Sequence, residues 1–395
     1  MKIFLLLIFT LPLFAKTICL NMIVKDESPV IERCLNSVKP FIDYWVIVDT
    51  GSTDGTQDKI RRCMGSIPGE LHERPWVDFA HNRNQALQLA KGKGDYVLFI
   101  DADEQLVFAK NFQKPVLDRD FYLVMSDNQG FKYGRLQLIN NHLPWVWEGC
   151  VHECIESLYP GPKTSGLLAG VTNVISWDGN RSKDPDKYRK DAVVLEQALR
   201  KNPGHQRTLF YLARSYQDAN EPEKALQAFE QRAMMLPWDP EVHWSLYQVA
   251  LLQEQLGKPR QTVIDGYHRA YQNLPSRAEP LYHLARYYNQ HGEPFSAYLT
   301  AQHALSIPKP SEAMFLETGI YDFGLLTEFA ASAFALGKYG EAEAACVQLL
   351  LKPGLPEALR ESVEKNLRLL IEQKGMSGYS INPGLNSSVG RAAHS

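Results

Sequence analysis

The chain has 395 residues, 45% hydrophobic and 22% charged, which is long enough for two or three well-cored domains and excludes a disordered or fibrous class. Its 42 Lys and Arg against 45 Asp and Glu, a net charge of −3 with the two signs mixed along the chain, exclude nucleic acid as the main partner. Six scattered cysteines do not make a disulfide framework, and Cys150 and Cys154, which flank His152 and Glu153, lack the second Cys or His pair that a zinc site needs.

Residues 1–15 carry Lys2, an apolar run from Ile3 to Phe14 and then Ala15, the build of a secretory signal peptide and too short for a membrane span. The expectation is export; the alternative is an apolar N-terminus on a cytoplasmic or membrane-associated protein. From Thr17 the spacing predicts strand and helix in alternation. The strands are Thr17 to Val24, Tyr44 to Val48, Leu71 to Trp76 and Tyr96 to Ile100. The helices follow Ser28-Pro29, surround Lys59-Ile60 and run from Asn82 to Lys91. Strands without polar alternation are buried on both faces, so this is an α/β domain with a mainly parallel sheet. Asp101, Asp103 and Glu104 follow the fourth strand at once, where open α/β sheets bind ligands. Carboxylates there suit Mn2+ or Mg2+ bridged to a diphosphate. The first strand is followed by Lys25-Asp26-Glu27 rather than a glycine-rich fingerprint, which argues against a nicotinamide or flavin cofactor.

Short strands around Tyr122 to Met125, Arg135 to Ile139 and Gly170 to Ile175 complete a first domain over 16–180. Beyond it Leu209, Leu212, Ala213, Tyr216, Ala225, Phe229 and Pro237 set a spacing that Leu281, Leu284, Ala285, Tyr288, Ala297, Ala301 and Pro308 repeat. Residues 181–375 are therefore expected as an all-α, tetratricopeptide-like solenoid, and 376–395 as a disordered tail.

Four ordered motifs resemble family 2 glycosyltransferases of the GT-A fold. They are Asn21 to Glu27, Val46 to Thr56, Trp76 to Ala80 with Arg83-Asn84, and Asp101-Ala102-Asp103-Glu104. The resemblance implies a metal-dependent, inverting transfer of a sugar from an NDP-sugar, most simply a UDP-sugar, to a protein, peptide, glycan or glycolipid acceptor. It implies that Asp26, Glu27 and Asp49 hold the nucleoside and that Arg83 approaches the donor phosphates or helps to hold the donor-binding loop. Asp103 would bind the metal, with Asp101 nearer the ribose or a metal-bound water. Trp147 to Glu153 resembles the late motif of these enzymes, which makes Glu153 the general base, with Glu148 and Asp78 as rivals, and His152 an additional metal ligand. Thr50 stands where many members carry a second Asp. The rival reading is an inactive tetratricopeptide scaffold whose repeats bind a protein partner.

Overall fold

The computed structural model describes residues 15–129, 131–235, 240–311 and 315–379. The expected signal peptide, apart from Ala15, lies outside these residues, as do Pro237 and the expected tail from 380 onward. The chain divides into two compact units, Met1–Ala219 and Asn220–Ser395.

The first unit opens with β1 (Ile18–Val24), α1 (Ile31–Val38), β2 (Tyr44–Asp49), α2 (Thr56–Met64), β3 (Gly69–Glu73), α3 (Phe79–Leu89) and β4 (Tyr96–Phe99). Apolar residues on both faces bury β1, β2 and β4 almost completely, and Ile31, Cys34, Leu35 and Val38 line the buried stripe of α1. β1 pairs in parallel with β2 and β4, and β2 with β3, as helical crossovers require. β3 starts earlier than the sequence suggests because Pro75 cannot donate to the ladder. Gly69 opens it because a Cβ there would lie 2.3 Å from the Trp45 ring.

Past β4 the crossover helices stop and the pairing changes. β5 (Glu104–Phe108), β6 (Phe121–Asn128), β7 (Phe131–Asn140) and β10 (Ser165–Ile175) extend the sheet in the order β3-β2-β1-β4-β7-β6-β10-β5, antiparallel at β4/β7, β6/β7 and β10/β5. The sheet is thus mixed: a parallel half joined to an extension that is antiparallel except where β10 pairs with β6 in parallel. β8 (Trp145–Glu148) and β9 (Cys154–Ser157) form a separate ribbon. The strands end at Ile175, but α4 (Lys187–Lys201) and α5 (Gln206–Asp218) stay in the sheet's compact unit, with Ala192, Leu195 and Leu212 packed on Val151.

The second unit is helical: α6 (Pro222–Ala233), α7 (Pro240–Gln255), α8 (Arg260–Asn273), α9 (Glu279–Gln290), α10 (Pro294–Leu305), α11 (Leu325–Ala335), α12 (Tyr339–Leu351) and α13 (Glu357–Tyr379). Ala285, Ala297, Ala301, Ala333 and Ala342 are fully buried where neighbouring helices touch, and Tyr247 and Tyr267 fill the wider gaps. This is how a tetratricopeptide-like stack builds its core. Buried arginines pin the stack: Arg232 on α6 pairs with Glu241 on α7 at 2.9 Å, and Arg277, in the turn before α9, pairs with Glu279 at the start of that helix at 2.6 Å.

Candidate active site

At the carboxyl end of β2 the chain turns through Gly51 (φ 110°) and Gly55 (φ 85°). Asp49 is fully buried there. Its Oδ1 accepts from the backbone N–H of Gly51 (2.9 Å) and Ser52 (2.8 Å) and from Gln57 Nε2 (3.1 Å). Its Oδ2 is buried with no hydrogen-bond partner, an uncommon condition that costs stability unless a ligand relieves it. The turn after β1 is knitted to this one. Asp26, left-handed at φ 54°, accepts from Thr53 N (2.7 Å), while its own N–H donates to Ser52 Oγ (2.8 Å) and that of Glu27 to Thr56 Oγ1 (2.9 Å). Thr50 is structural: its hydroxyl donates to Val24 O at 3.1 Å.

At the carboxyl end of β4 the segment folds back at once, with Glu104 N–H donating to Asp101 O (3.1 Å). Asp101 faces two arginines. Arg83 Nη2 donates to its Oδ1 (2.7 Å) and Arg135 Nη2 to its Oδ2 (3.0 Å). Arg83 also donates Nε to Glu153 Oε1 (2.5 Å), and Arg135 binds Glu104. The result is a continuous chain of alternating charge, Glu153–Arg83–Asp101–Arg135–Glu104. Burial alone would raise the Asp101 pKa, but Arg83 and Arg135 outweigh it and hold the carboxyl well below the usual range. Arg83, 7% exposed and 5.0 Å from the Trp147 ring centroid, is committed to carboxylates rather than open to donor phosphates. Arg135 escapes a motif reading; its only signal is a charge inside the apolar alternation of β7.

Asp103 points elsewhere. Burial, then the charge of Asp101, raises its pKa. A strap after β10 crosses it: Ser176 N–H donates to Asp103 O (3.2 Å), and a Cβ on Gly179 would lie 3.0 Å from Asp103 Oδ2. The same strap ties Asp178 to Arg33 by two 2.7 Å bonds and donates Asn180 N–H to Glu27 Oε2 (3.2 Å). Burial, with help from Asp103, pushes the Glu27 carboxyl up to about 7. Arg33, Asp178 and Gly179 carry no motif signal.

Glu153 follows the β8 ribbon strand on a loop fixed from two sides. Asn84 on α3 holds the Trp147 backbone through Nδ2 to O (2.8 Å) and Oδ1 from N (2.9 Å). On the other side α5 holds His152, which is left-handed at φ 54°: Arg207 Nη2 donates to its carbonyl (3.1 Å) and Tyr211 stacks on its ring at 4.2 Å. Desolvation, then Arg214, Arg181, Lys187 and Arg207, pull the imidazole pKa down to about 4. The rivals for the base are placed differently: Glu148 is exposed, and Asp78 caps α3 by accepting from His81 N (2.7 Å).

The structure does not bring Asp101, Asp103 and His152 together as a metal centre. Among the described residues no group of three His, Cys, Asp or Glu side chains is arranged to hold an ion. Asp101 is saturated by arginine and His152 is engaged with α5, so Asp103 alone of the three fits a metal whose remaining ligands come from a bound phosphate group.

Residues 19–116, which carry β1 to β5 and the ends of β2 and β4, match the family model described as Glycosyl transferase family 2. This stretch is a family 2 glycosyltransferase domain. Relatives are similar over part of the chain. A tetratricopeptide-repeat-containing protein of Synechococcus elongatus is 40% identical over 90 residues, 23% of this chain and 21% of its own length. An uncharacterised glycosyltransferase of Rickettsia bellii is 34% identical over 117 residues, 30% of this chain and 36% of its own. The prophage-derived glycosyltransferase SunS of Bacillus subtilis is 36% identical over 88 residues, 22% of this chain and 20% of its own. The chain thus spans little more than a third of the length of these relatives at most.

Proposed function

We propose that the protein transfers a sugar from a nucleoside-diphosphate sugar, with a uridine nucleotide the best fit, to an acceptor hydroxyl. The observation that carries this reading is Asp49, a buried carboxylate with one oxygen saturated by turn N–H groups and the other without a donor. The imide N–H of uracil supplies the missing hydrogen bond. Asp103, with the donor's phosphates, would hold Mn2+ or Mg2+, which supplies charge neutralisation for a departing diphosphate. Glu153 is the base. Its Oε1 is held by Arg83, leaving Oε2 to take the proton of the acceptor hydroxyl as that oxygen attacks the anomeric carbon and the bond to the diphosphate breaks on the opposite face, inverting the centre. Arg83 keeps Glu153 oriented while its second donor fixes Asp101.

The alternative of an inactive scaffold is disfavoured by the intact charge chain, whose burial is costly to maintain without use. The test is thermal denaturation of the full chain with UDP, with and without Mn2+. A ligand at 100 times its Kd stabilises by about 2.7 kcal/mol. The wild type is expected to shift with UDP and more with Mn2+. Asp103→Asn should keep the metal-independent shift and lose the increment. No shift in a folded wild type would sink the reading.

A further inference from the structure

The helix pair α4–α5 carries more charge than packing on the catalytic loop requires. From Arg181 to Asp218 there are nine Lys and Arg against five Asp and Glu, in a chain whose net charge is −3. Several of these cations gather at the loop that bears Glu153. Arg207 bonds the carbonyl of His152, and its guanidinium carbon lies 4.9 Å from the ring centroid of Tyr211, itself stacked on His152. Arg181 sits 4.7 Å over Phe79, whose N–H donates to Cys150 O in the same loop (3.4 Å). Lys187 lies 5.7 Å from the ring of Trp177 and 5.0 Å from that of Tyr188, aromatic faces that are 48% and 36% exposed.

The acids nearby offset only part of this charge. Asp191 pairs with Arg181 and Asp218 faces Arg214 and Lys187, two carboxylates beside the four cations Arg181, Lys187, Arg207 and Arg214, while Glu153 is held by Arg83. The field of Arg214, Arg181, Lys187 and Arg207 is felt directly by the His152 ring, which it helps keep neutral.

We propose that α4 and α5 form an acceptor subsite beside Glu153 that reads a negative charge, so that the acceptor is a glycan bearing a phosphate or carboxylate group. The proposal rests on the glycosyltransferase reading. Partly exposed aromatic rings suit the apolar side of a sugar ring, and arginine and lysine suit its anionic substituent. The subsite belongs to the same compact unit as the sheet, and it gives the helix pair a part in choosing the acceptor.

The test is saturation-transfer NMR on the full chain with three probes: glucose 6-phosphate, glucuronate and glucose. One or both charged sugars are expected to bind about tenfold better than glucose, the worth of a charge-assisted contact. The signal should weaken at high salt, fall in Lys187→Glu and Arg214→Glu, and persist under saturating UDP. Thermal stabilisation by UDP, retained in both variants, shows that they are folded and that the donor site is intact. Failure of the subsite is thereby separated from failure of the donor reading. Equal binding of glucose, displacement of the charged sugars by UDP, or undiminished signal in both variants would overturn the proposal; displacement would mean that these cations serve the donor's diphosphate.

Discussion

The ends of β2 and β4 flank β1 in one sheet and both present an aspartate, yet they hold it by opposite means. Asp49 is held by neutral donors, two backbone N–H groups and a glutamine amide, which leave one oxygen without a partner. Asp101 is held by two guanidinium groups, each reaching on to a further glutamate. The contrast teaches what each end is for. Neutral turn donors fix a carboxylate without cancelling its charge, so it can still recognise a ligand. Arginines fix and neutralise it, so it organises its neighbours, and the proposed function leaves recognition to Asp103 and Glu153.

The harshest way to break this comparison is Arg83→Met. Removing Arg83 leaves the largely buried Glu153 without its cation and Asp101 with Arg135 alone, and urea denaturation should show a loss of about 3 kcal/mol. A loss below about 1 kcal/mol would mean that solvent, not arginine, supports the β4 end. At the β2 end Asp49→Asn should leave stability within about 1 kcal/mol but place an amide donor opposite the nucleobase. Calorimetry should then find UDP binding weaker by about 1–3 kcal/mol. Unchanged affinity would remove Asp49 from the nucleoside site.

A finer probe uses Glu27, whose folded-state pKa of about 7 lies above its ordinary value. The folded state holds the proton more tightly than the unfolded chain. This contribution is therefore complete below the unfolded pKa and is lost as pH rises through about 7. Glu27→Gln removes the cost of charging. Its melting temperature should match that of the wild type near about pH 4 and exceed it near about pH 8, by the equivalent of roughly 1–2 kcal/mol after discounting for partial exposure. The reverse order would show that Glu27 is stabilised, not penalised, as an anion. The smallest effect is expected from Gly179→Ala. Its Cβ crowds Asp103, whose carboxylate can swing away for roughly 1 kcal/mol or less. The readout is the Mn2+-dependent part of UDP binding, and an unaltered metal increment would show that the strap does not set the pose of Asp103.

Much of this molecule is legible in its residues, and the limits follow a physical line. Ile18 to Val24, Tyr44 to Val48 and Tyr96 to Phe99 announce themselves because burial on both faces leaves an uninterrupted apolar run. Leu281, Leu284 and Ala285 announce a helix pair because small residues must sit where helices touch. The later strands are harder to read, since β5 in the sheet and β8 in the separate ribbon are too short to show a period. Charge partnerships are hardest of all. Arg33 meets Asp178 across 145 residues, and Asp178-Gly179-Asn180 has the composition of an ordinary turn. Arg135 looks like a defect in an apolar strand until Asp101 and Glu104 are seen beside it. Local composition records what a residue can do, whereas a chain of ion pairs is a property of the assembled sheet.

Asp26, His152 and Trp177 share a left-handed backbone, at φ 54°, 54° and 55°. Each lies at the candidate site, and each conformation costs free energy that glycine would avoid. Directed evolution of this protein for heat resistance alone would therefore find glycine at these three positions attractive. The reward would be a hardier scaffold that has lost Asp26 from the proposed nucleoside site and His152 and Trp177 from beside the proposed acceptor subsite, so any such campaign needs a binding screen run beside the thermal one.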